Sequence, residues 1–360
     1  MKNIGLVITT KSAFFDFSSC SALAAFERSG YDFSEIRVLR PDSERVKAAI
    51  CELEKLAKNV MVFVDCPLAE VVRWAQEATG ATLFGGSDRG GVLQLSSCTL
   101  FLLSMGDEAY AKEVCLPYLA QKSGCRIGSM VLRCVGAQQA RMQEILAHAR
   151  NMSAGRANIL HEGQFGEDII RIFYDENTPR MLTEDLLRYL AEALRDNLYA
   201  LDDTPLEKQL IELLRLRGRK ISVAESFTGG GLAQKIVSVS GASEVYVEGL
   251  NTYSETSKMR RLGVTEYTLR SQGVVSEQTA YEMAAGLLSQ GGCNVAIATT
   301  GLAGPNGDGT ATPVGTCCIA VGIDSNVYVY RYLLEGGRRE VTETAIRYAL
   351  FLACKQLKNM

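Results

Sequence analysis

Residues 221–237 read Ile221-Ser222-Val223-Ala224-Glu225-Ser226-Phe227-Thr228-Gly229-Gly230-Gly231, then Leu232-Ala233-Gln234-Lys235-Ile236-Val237. A short apolar run of strand character passes through a glycine-rich turn into an amphipathic run. That is the strand-to-helix step of an open α/β sheet, where ligands bind outside the carboxyl ends of the strands. The turn alone admits three uses. It can hold an anion on backbone amides at a helix N-terminus, where the macrodipole favours negative charge. It can present Ser226 as a nucleophile, with the same amides stabilising the oxyanion. Or Ser226 or Thr228 simply caps the helix. The patterns G-x-x-x-x-G-K-[ST], G-x-S-x-G and G-x-G-x-x-G are all absent from it.

Histidine usage narrows the chemistry. The chain has only two histidines, His148 and His161, and both lie upstream of the turn. A Ser-His-Asp or Cys-His arrangement within the last third is therefore excluded, as is a His-ligated metal there. Any base must be Lys, Tyr, Asp or Glu. Lys258 is the interesting partner, four residues after Ser254 on a helix that begins at a strand end. Desolvation or nearby cations lower a lysine's pKa towards the range of a base. The plain alternative is a solvated helix lysine. Two further loops rich in Gly, Thr and Ser, Asn251–Lys258 and Thr299–Thr316, also follow strand-like runs. One such loop is weak; three at one sheet edge make a site.

The rest of the chain sets this edge in a larger frame. Its 360 residues suffice for two or three domains. A hydrophobic share of 47%, a charged share of 22% and a net charge of −3 describe an ordinary globular protein. That balance speaks against nucleic-acid binding driven by bulk charge. The first apolar run is too short for a signal sequence, and no run approaches a membrane span. The 11 cysteines form no C-x-x-C pair, and most sit in apolar runs. Reduced thiols and a cytoplasmic protein are expected.

Three segments are expected: 1–122, 123–203 and 204–360. The first alternates strands and helices, which implies a mostly parallel sheet covered on both faces. The second reads β-α-β-β-α, a KH-like order, with Thr183 as a cap of its last helix. It contains no lysine, and its Gly163-Gln164-Phe165-Gly166 lies in the hairpin, not between helices where a KH clamp needs it. Leu201–Pro205 reads as a linker, with Thr204 capping the next helix and Pro205 at its first position. The third segment is expected to be a three-layer α/β/α sandwich on a mixed sheet. Ser254 and Ser276 cap helices there, and Gly263 and Gly291-Gly292 end them.

The third segment resembles the C-terminal domain of the CinA (competence/damage-inducible) family. The resemblance rests on AESFTGGGLA (224–233), NTYSETSKMRRLGV (251–264), GVVSEQTAYEMAAG (273–286), ATTGLAGPNGDGTATPVGT (298–316) and GGRREV (336–341). It implies nicotinamide mononucleotide deamidase activity: hydrolysis of the carboxamide to nicotinate mononucleotide and ammonia, without metal or cofactor. Carried over, Ser226 is the nucleophile and Lys258 the base, with Tyr253 and Thr300 supporting them. Thr228, Gly229 and Gly230 correspond to the amide-donor turn. Gly301, Gly304 and Arg338 are expected at the substrate. A cytoplasmic homodimer with no nucleic-acid or membrane partner is implied.

Phe227 stands where the family carries Cys or a small residue, and Gly337 where it carries Asp. Phe227 is expected to reshape the pocket, and it is the support for an alternative, non-catalytic regulatory protein. The first segment resembles the family's molybdopterin-binding-like N-terminal domain in degenerate form. Its loops Asp65–Glu70 and Ser104–Glu108 lack the glycines and aspartate pair that would hold phosphate and metal. A catalytically silent domain serving dimerisation or regulation is implied, and a pyrophosphatase there is disfavoured.

Overall fold

The computed structural model describes residues 3–11, 17–124 and 127–359. It is a mixed α/β protein with three sheets. Two compact units emerge. One is Met1–Ser129 with Arg156–Asn158 and Ile172–Thr183; the other is Met130–Gly155, Ile159–Arg171 and Glu184–Met360.

The first unit contains strands β1 (Asn3–Ile8), β2 (Glu35–Leu39), β3 (Asn59–Val64), β4 (Leu83–Ser87), β5 (Gly90–Gln94) and β6 (Thr99–Ser104), in the order β2-β1-β3-β6-β5-β4. The first four in that order are parallel, and β5 and β4 pair antiparallel. Alternation along β1 and β3 explains the two covered faces. Ile4, Leu6, Val60 and Val62 face helices 43–56 and 68–79, while Val7, Met61 and Phe63 face helix 21–28. Strand β4 was not expected; it contains Gly85 and Gly86, which carry no alternation signal. After β3, the Asp65 carboxylate accepts from the Thr9 hydroxyl at 2.5 Å and the Thr10 amide at 2.9 Å, which ties the ends of β1 and β3 together.

A four-stranded sheet follows, with β7 (Gly128–Val135), β8 (Ala157–Gln164), β9 (Glu167–Tyr174) and β10 (Leu198–Ala200) in the order β10-β7-β9-β8. Thr183 does not cap its second helix. That helix starts at Arg180 behind Pro179, and the Thr183 hydroxyl donates back to the Arg180 carbonyl at 2.8 Å.

The second unit holds the C-terminal sheet. Its strands are β11 (Ile221–Glu225), β12 (Tyr246–Asn251), β13 (Val295–Gly301), β14 (Thr316–Ile323) and β15 (Asn326–Leu333), in the order β12-β11-β13-β14-β15. The first three in that order are parallel and the last two antiparallel. One face, with Val223, Ile297 and Val321, packs against helices 206–216, 231–237 and 338–358. The other, with Ala224, Ala298 and Ala320, packs against helices 255–262, 266–271 and 277–289. The small residues on the second face let its helices approach closely. At Gly286 an added Cβ would lie 2.0 Å from the Leu262 carbonyl oxygen, so any side chain there would push two helices apart.

Ser254 and Ser276 cap as expected, accepting from the amides of Ser257 and Thr279. Thr204 does not: Pro205 holds the N-cap position of helix 206–216, and the Thr204 amide donates to Asp202. Among the described residues no helix is long and apolar enough to cross a membrane. Burial pushes the thiols of Cys115, Cys134 and Cys317 up to about 12, so they pack as small hydrophobes.

Candidate active site

Strand register builds the site. Glu225, the last residue of β11, stands opposite Asn251 of β12 and Thr299 of β13. Strands β11 and β12 therefore end level, and β13 runs on to Gly301. Beyond their ends the Ser226 amide donates to the Thr299 carbonyl at 3.1 Å, and the Thr252 amide to the Glu225 carbonyl at 2.8 Å. All three glycine- and threonine-rich loops thus meet at one edge.

The turn after β11 is organised by a residue that sequence reasoning passed over. Glu225 is buried, and its carboxylate accepts from the amides of Gly230 and Leu232 at 3.0 Å each and Ala233 at 2.8 Å. These donors belong to the start of helix 231–237, whose macrodipole favours a negative charge there. The available signal was an acid immediately before a glycine turn and a helix start. Its consequence is a correction. The Gly230 amide is committed to Glu225, and the Gly229 amide donates to the Ser226 carbonyl at 3.1 Å. The amide-donor role expected of these two glycines is therefore unavailable to them. The N–H groups of Phe227 and Thr228 donate to no protein atom among the described residues.

Lys258 enters from helix 255–262, whose start is set by the Ser254 cap and whose end is the left-handed Gly263. It is 0% exposed. Its Nζ donates to Ser226 Oγ at 2.9 Å, to the Thr252 carbonyl at 2.8 Å and to the Tyr253 carbonyl at 3.2 Å. None of these acceptors is a carboxylate. Burial lowers its pKa from 10.5 to about 8, against a weaker upward pull from Glu255.

The other expected residues take distinct places. Tyr253 reaches Lys258 only through its carbonyl; its side chain is 65% exposed. Buried Thr300 donates its hydroxyl to the Val274 carbonyl at 2.8 Å, not to the dyad. Thr228 shares a hydrogen bond with the Thr299 hydroxyl at 2.8 Å. Gly304, with φ 76°, presents its carbonyl to Arg338 Nη1 at 2.8 Å. Arg338 opens the last helix, where the N-cap Gly337 supplies no side-chain bond.

Phe227 does not cover the nucleophile. It is 7% exposed and packs with Ala303, Cys317, Leu334, Val341 and Ala345. Gly301 makes the room: a Cβ there would lie 2.8 Å from the Phe227 ring and 2.9 Å from Cys317 Cβ. The expected reshaping of the pocket by Phe227 is thus replaced by core packing behind the turn.

A lysine whose pKa lies near 8 is substantially neutral at mildly alkaline pH and can accept a proton from Ser226. Any reaction using it is expected to lose rate by about tenfold for each step of one in pH below that value and to level off above it. A pH–rate profile of kcat/KM checks this; a flat profile between pH 6 and 8 rules the base out. Stability carries the same signature. Because the folded-state pKa is depressed, the unfolded chain binds more protons between about 8 and 10.5, so stability rises with pH across that window. Below it the full cost of burying the ammonium persists, about 3 kcal/mol, since each tenfold change in proton affinity is worth ~1.4 kcal/mol.

Comparison with known proteins bears on the domain that carries this site. Residues 203–357 match the family described as CinA C-terminal domain. Through this domain the chain belongs to the CinA family. It is 34% identical over 251 residues to a protein of Caldicellulosiruptor saccharolyticus named as competence-damage inducible, covering 69% of this chain and 61% of that protein. Those 251 residues exceed the span 203–357, so the likeness extends beyond the CinA domain. A CinA-like protein of Chloroherpeton thalassium is 43% identical over 152 residues, 42% of this chain and 34% of that one. The crystal structure of a competence or damage-inducible protein from Enterobacter asburiae is 36% identical, covering 42% of this chain and 96% of that chain with a TM-score of 0.42. The chain spans about three fifths of the length of the curated relatives it matches first.

Proposed function

We propose that the CinA domain is an amidohydrolase that cleaves the carboxamide of nicotinamide mononucleotide, giving nicotinate mononucleotide and ammonia. The reading is carried by one observation, the fully buried Lys258 Nζ at 2.9 Å from Ser226 Oγ. The substrate comes from the family resemblance.

Ser226 Oγ attacks the carboxamide carbon while its proton passes to neutral Lys258 Nζ. The oxyanion takes the open amides of Phe227 and Thr228. Lys258 then gives its proton to the amide nitrogen, the C–N bond breaks, and ammonia leaves an ester on Ser226. A water attacks the ester, losing its proton to Lys258, which returns one to Ser226 Oγ. Arg338, braced on the Gly304 carbonyl, offers a guanidinium to the nucleotide phosphate. Phe227, the sequence support for a non-catalytic protein, packs behind the turn and leaves that alternative without an observation in its favour.

We further read the first unit as a silent, molybdopterin-binding-like domain. Asp65, the first residue of its loop after β3, is taken up by Thr9 and Thr10.

The purified full chain is expected to release ammonia from nicotinamide mononucleotide at the same rate with and without a chelator. Absence of ammonia removes the reading; loss of rate with chelator removes metal independence.

A further inference from the structure

The hairpin Gly163-Gln164-Phe165-Gly166, out of place for a nucleic-acid clamp, has a different use. Its two turn residues are left-handed, Phe165 with φ 52° and Gly166 with φ 73°. That conformation is sterically disfavoured for phenylalanine, so surrounding contacts hold it. They come from the last helix, Arg338–Lys358. The Phe165 ring lies 5.1 Å from the Arg347 guanidinium carbon and 5.8 Å from that of Arg339, both within cation–π range. Gly166 approaches so closely that a Cβ would stand 3.0 Å from Thr344 Cγ2 and 3.1 Å from Tyr348 Cε1. The next residue, Glu167, pairs with Arg347 at 3.3 Å and Arg133 at 3.0 Å, and accepts from the Tyr199 hydroxyl at 2.5 Å. The Gly136 amide anchors the turn through the Gly166 carbonyl at 2.8 Å.

An adjoining face of the same helical turns reaches the candidate site, and Tyr348 touches both. Val341 and Ala345 pack with Phe227 and Ala303, and Arg338 holds the Gly304 carbonyl. The helix begins at Gly337 without a side-chain cap, and the local support of its first turn is the acidic Glu340. The hairpin and the substrate loop therefore both bear on one short stretch of helix, on adjoining faces.

We infer that Phe165 is a positioning residue: by holding Arg339 and Arg347 it fixes the first turns of the last helix, and with them Arg338 and the 301–305 backbone at the substrate. The kinetic part rests on the amidase reading; the structural part does not.

The test uses the full chain carrying Phe165→Ala, with Phe165→Tyr as the conservative variant that keeps the ring. Phe165→Ala is expected to raise KM for nicotinamide mononucleotide roughly tenfold, with kcat and the midpoint of the acidic pH limb within about twofold of wild type. Phe165→Tyr restores the wild-type KM. Hydrogen exchange followed by mass spectrometry is expected to speed up at 299–316 and 336–341 in the Ala variant, while helix 277–289 stays unchanged. Unaltered KM and exchange overturn the inference, and so does a moved pH midpoint, which places the damage at the dyad instead. If the wild type releases no ammonia, the amidase reading fails and the exchange comparison alone decides. If Phe165→Ala does not fold, Arg339→Gln takes its place. A two- to threefold rise in KM with faster exchange at 336–341 then supports the clamp, and wild-type values refute it.

Discussion

Ser226→Ala and Lys258→Met are each expected to lower kcat/KM for ammonia release by at least about 10³-fold while the fold is kept. The two changes differ in what they leave behind. Without Ser226 Oγ, the Lys258 ammonium still has the Thr252 and Tyr253 carbonyls as acceptors, so no buried charge is orphaned. Lys258→Met nearly conserves volume and removes a cation that burial disfavours, at the cost of two carbonyls losing a donor. The variant is therefore expected to unfold at equal or higher denaturant concentration than wild type near neutral pH. Lys258→Arg does not rescue, since a guanidinium stays protonated and is too large for a fully buried position. The double variant is expected to be no slower than either single one, because nucleophile and base act as a unit. Turnover near wild type in any of these proteins removes the dyad from the mechanism.

What was legible beforehand follows from local chemistry. The βα step at 221–237, the Ser254 and Ser276 caps and the hairpin 316–333 each depend on neighbours a few residues away, and pattern reports such neighbours. The meeting of three loops at one edge followed from parallel strand order, which an α/β pattern also carries. What escaped needed the third dimension. Phe227 lies next to the nucleophile in sequence, yet Gly301, 74 residues later, decides that its ring turns inwards. Thr183 and Thr204 have the composition of caps, but Pro179 and Pro205 set those helix starts elsewhere. Gly229 and Gly230 look like open donors because their chain position says nothing of the acid folded beneath them. Thr300 sits at the right strand end, but its hydroxyl is drawn to Val274, a partner no spacing reveals.

Glu225→Ala is expected to be the most damaging change outside the dyad. It removes the shared acceptor of the Gly230, Leu232 and Ala233 amides and leaves a cavity beneath the turn. Bonds to a charged acceptor contribute about 1.5–3 kcal/mol each, and water can re-satisfy some of the freed donors, so a net loss of about 3–5 kcal/mol is expected. The helix start also loses its negative partner. Activity suffers through geometry. Ser226, Phe227 and Thr228 lie between the lost carboxylate and the freed amides, so the open N–H groups no longer point to a fixed oxyanion position. A drop in kcat of about 10²–10³-fold is expected, the scale of losing an oxyanion donor. Glu225→Gln separates charge from geometry. With its oxygen in the place of Oε2 it still accepts from Gly230 and Leu232, but its NH2 then faces the Ala233 amide, donor against donor. Its stability and rate should fall between wild type and Glu225→Ala. Denaturant midpoints of the full chain, hydrogen exchange across 225–237 and ammonia release measure all three. If Glu225→Ala keeps wild-type exchange and rate, the carboxylate does not organise the turn, and the placement of the oxyanion on Phe227 and Thr228 loses its support.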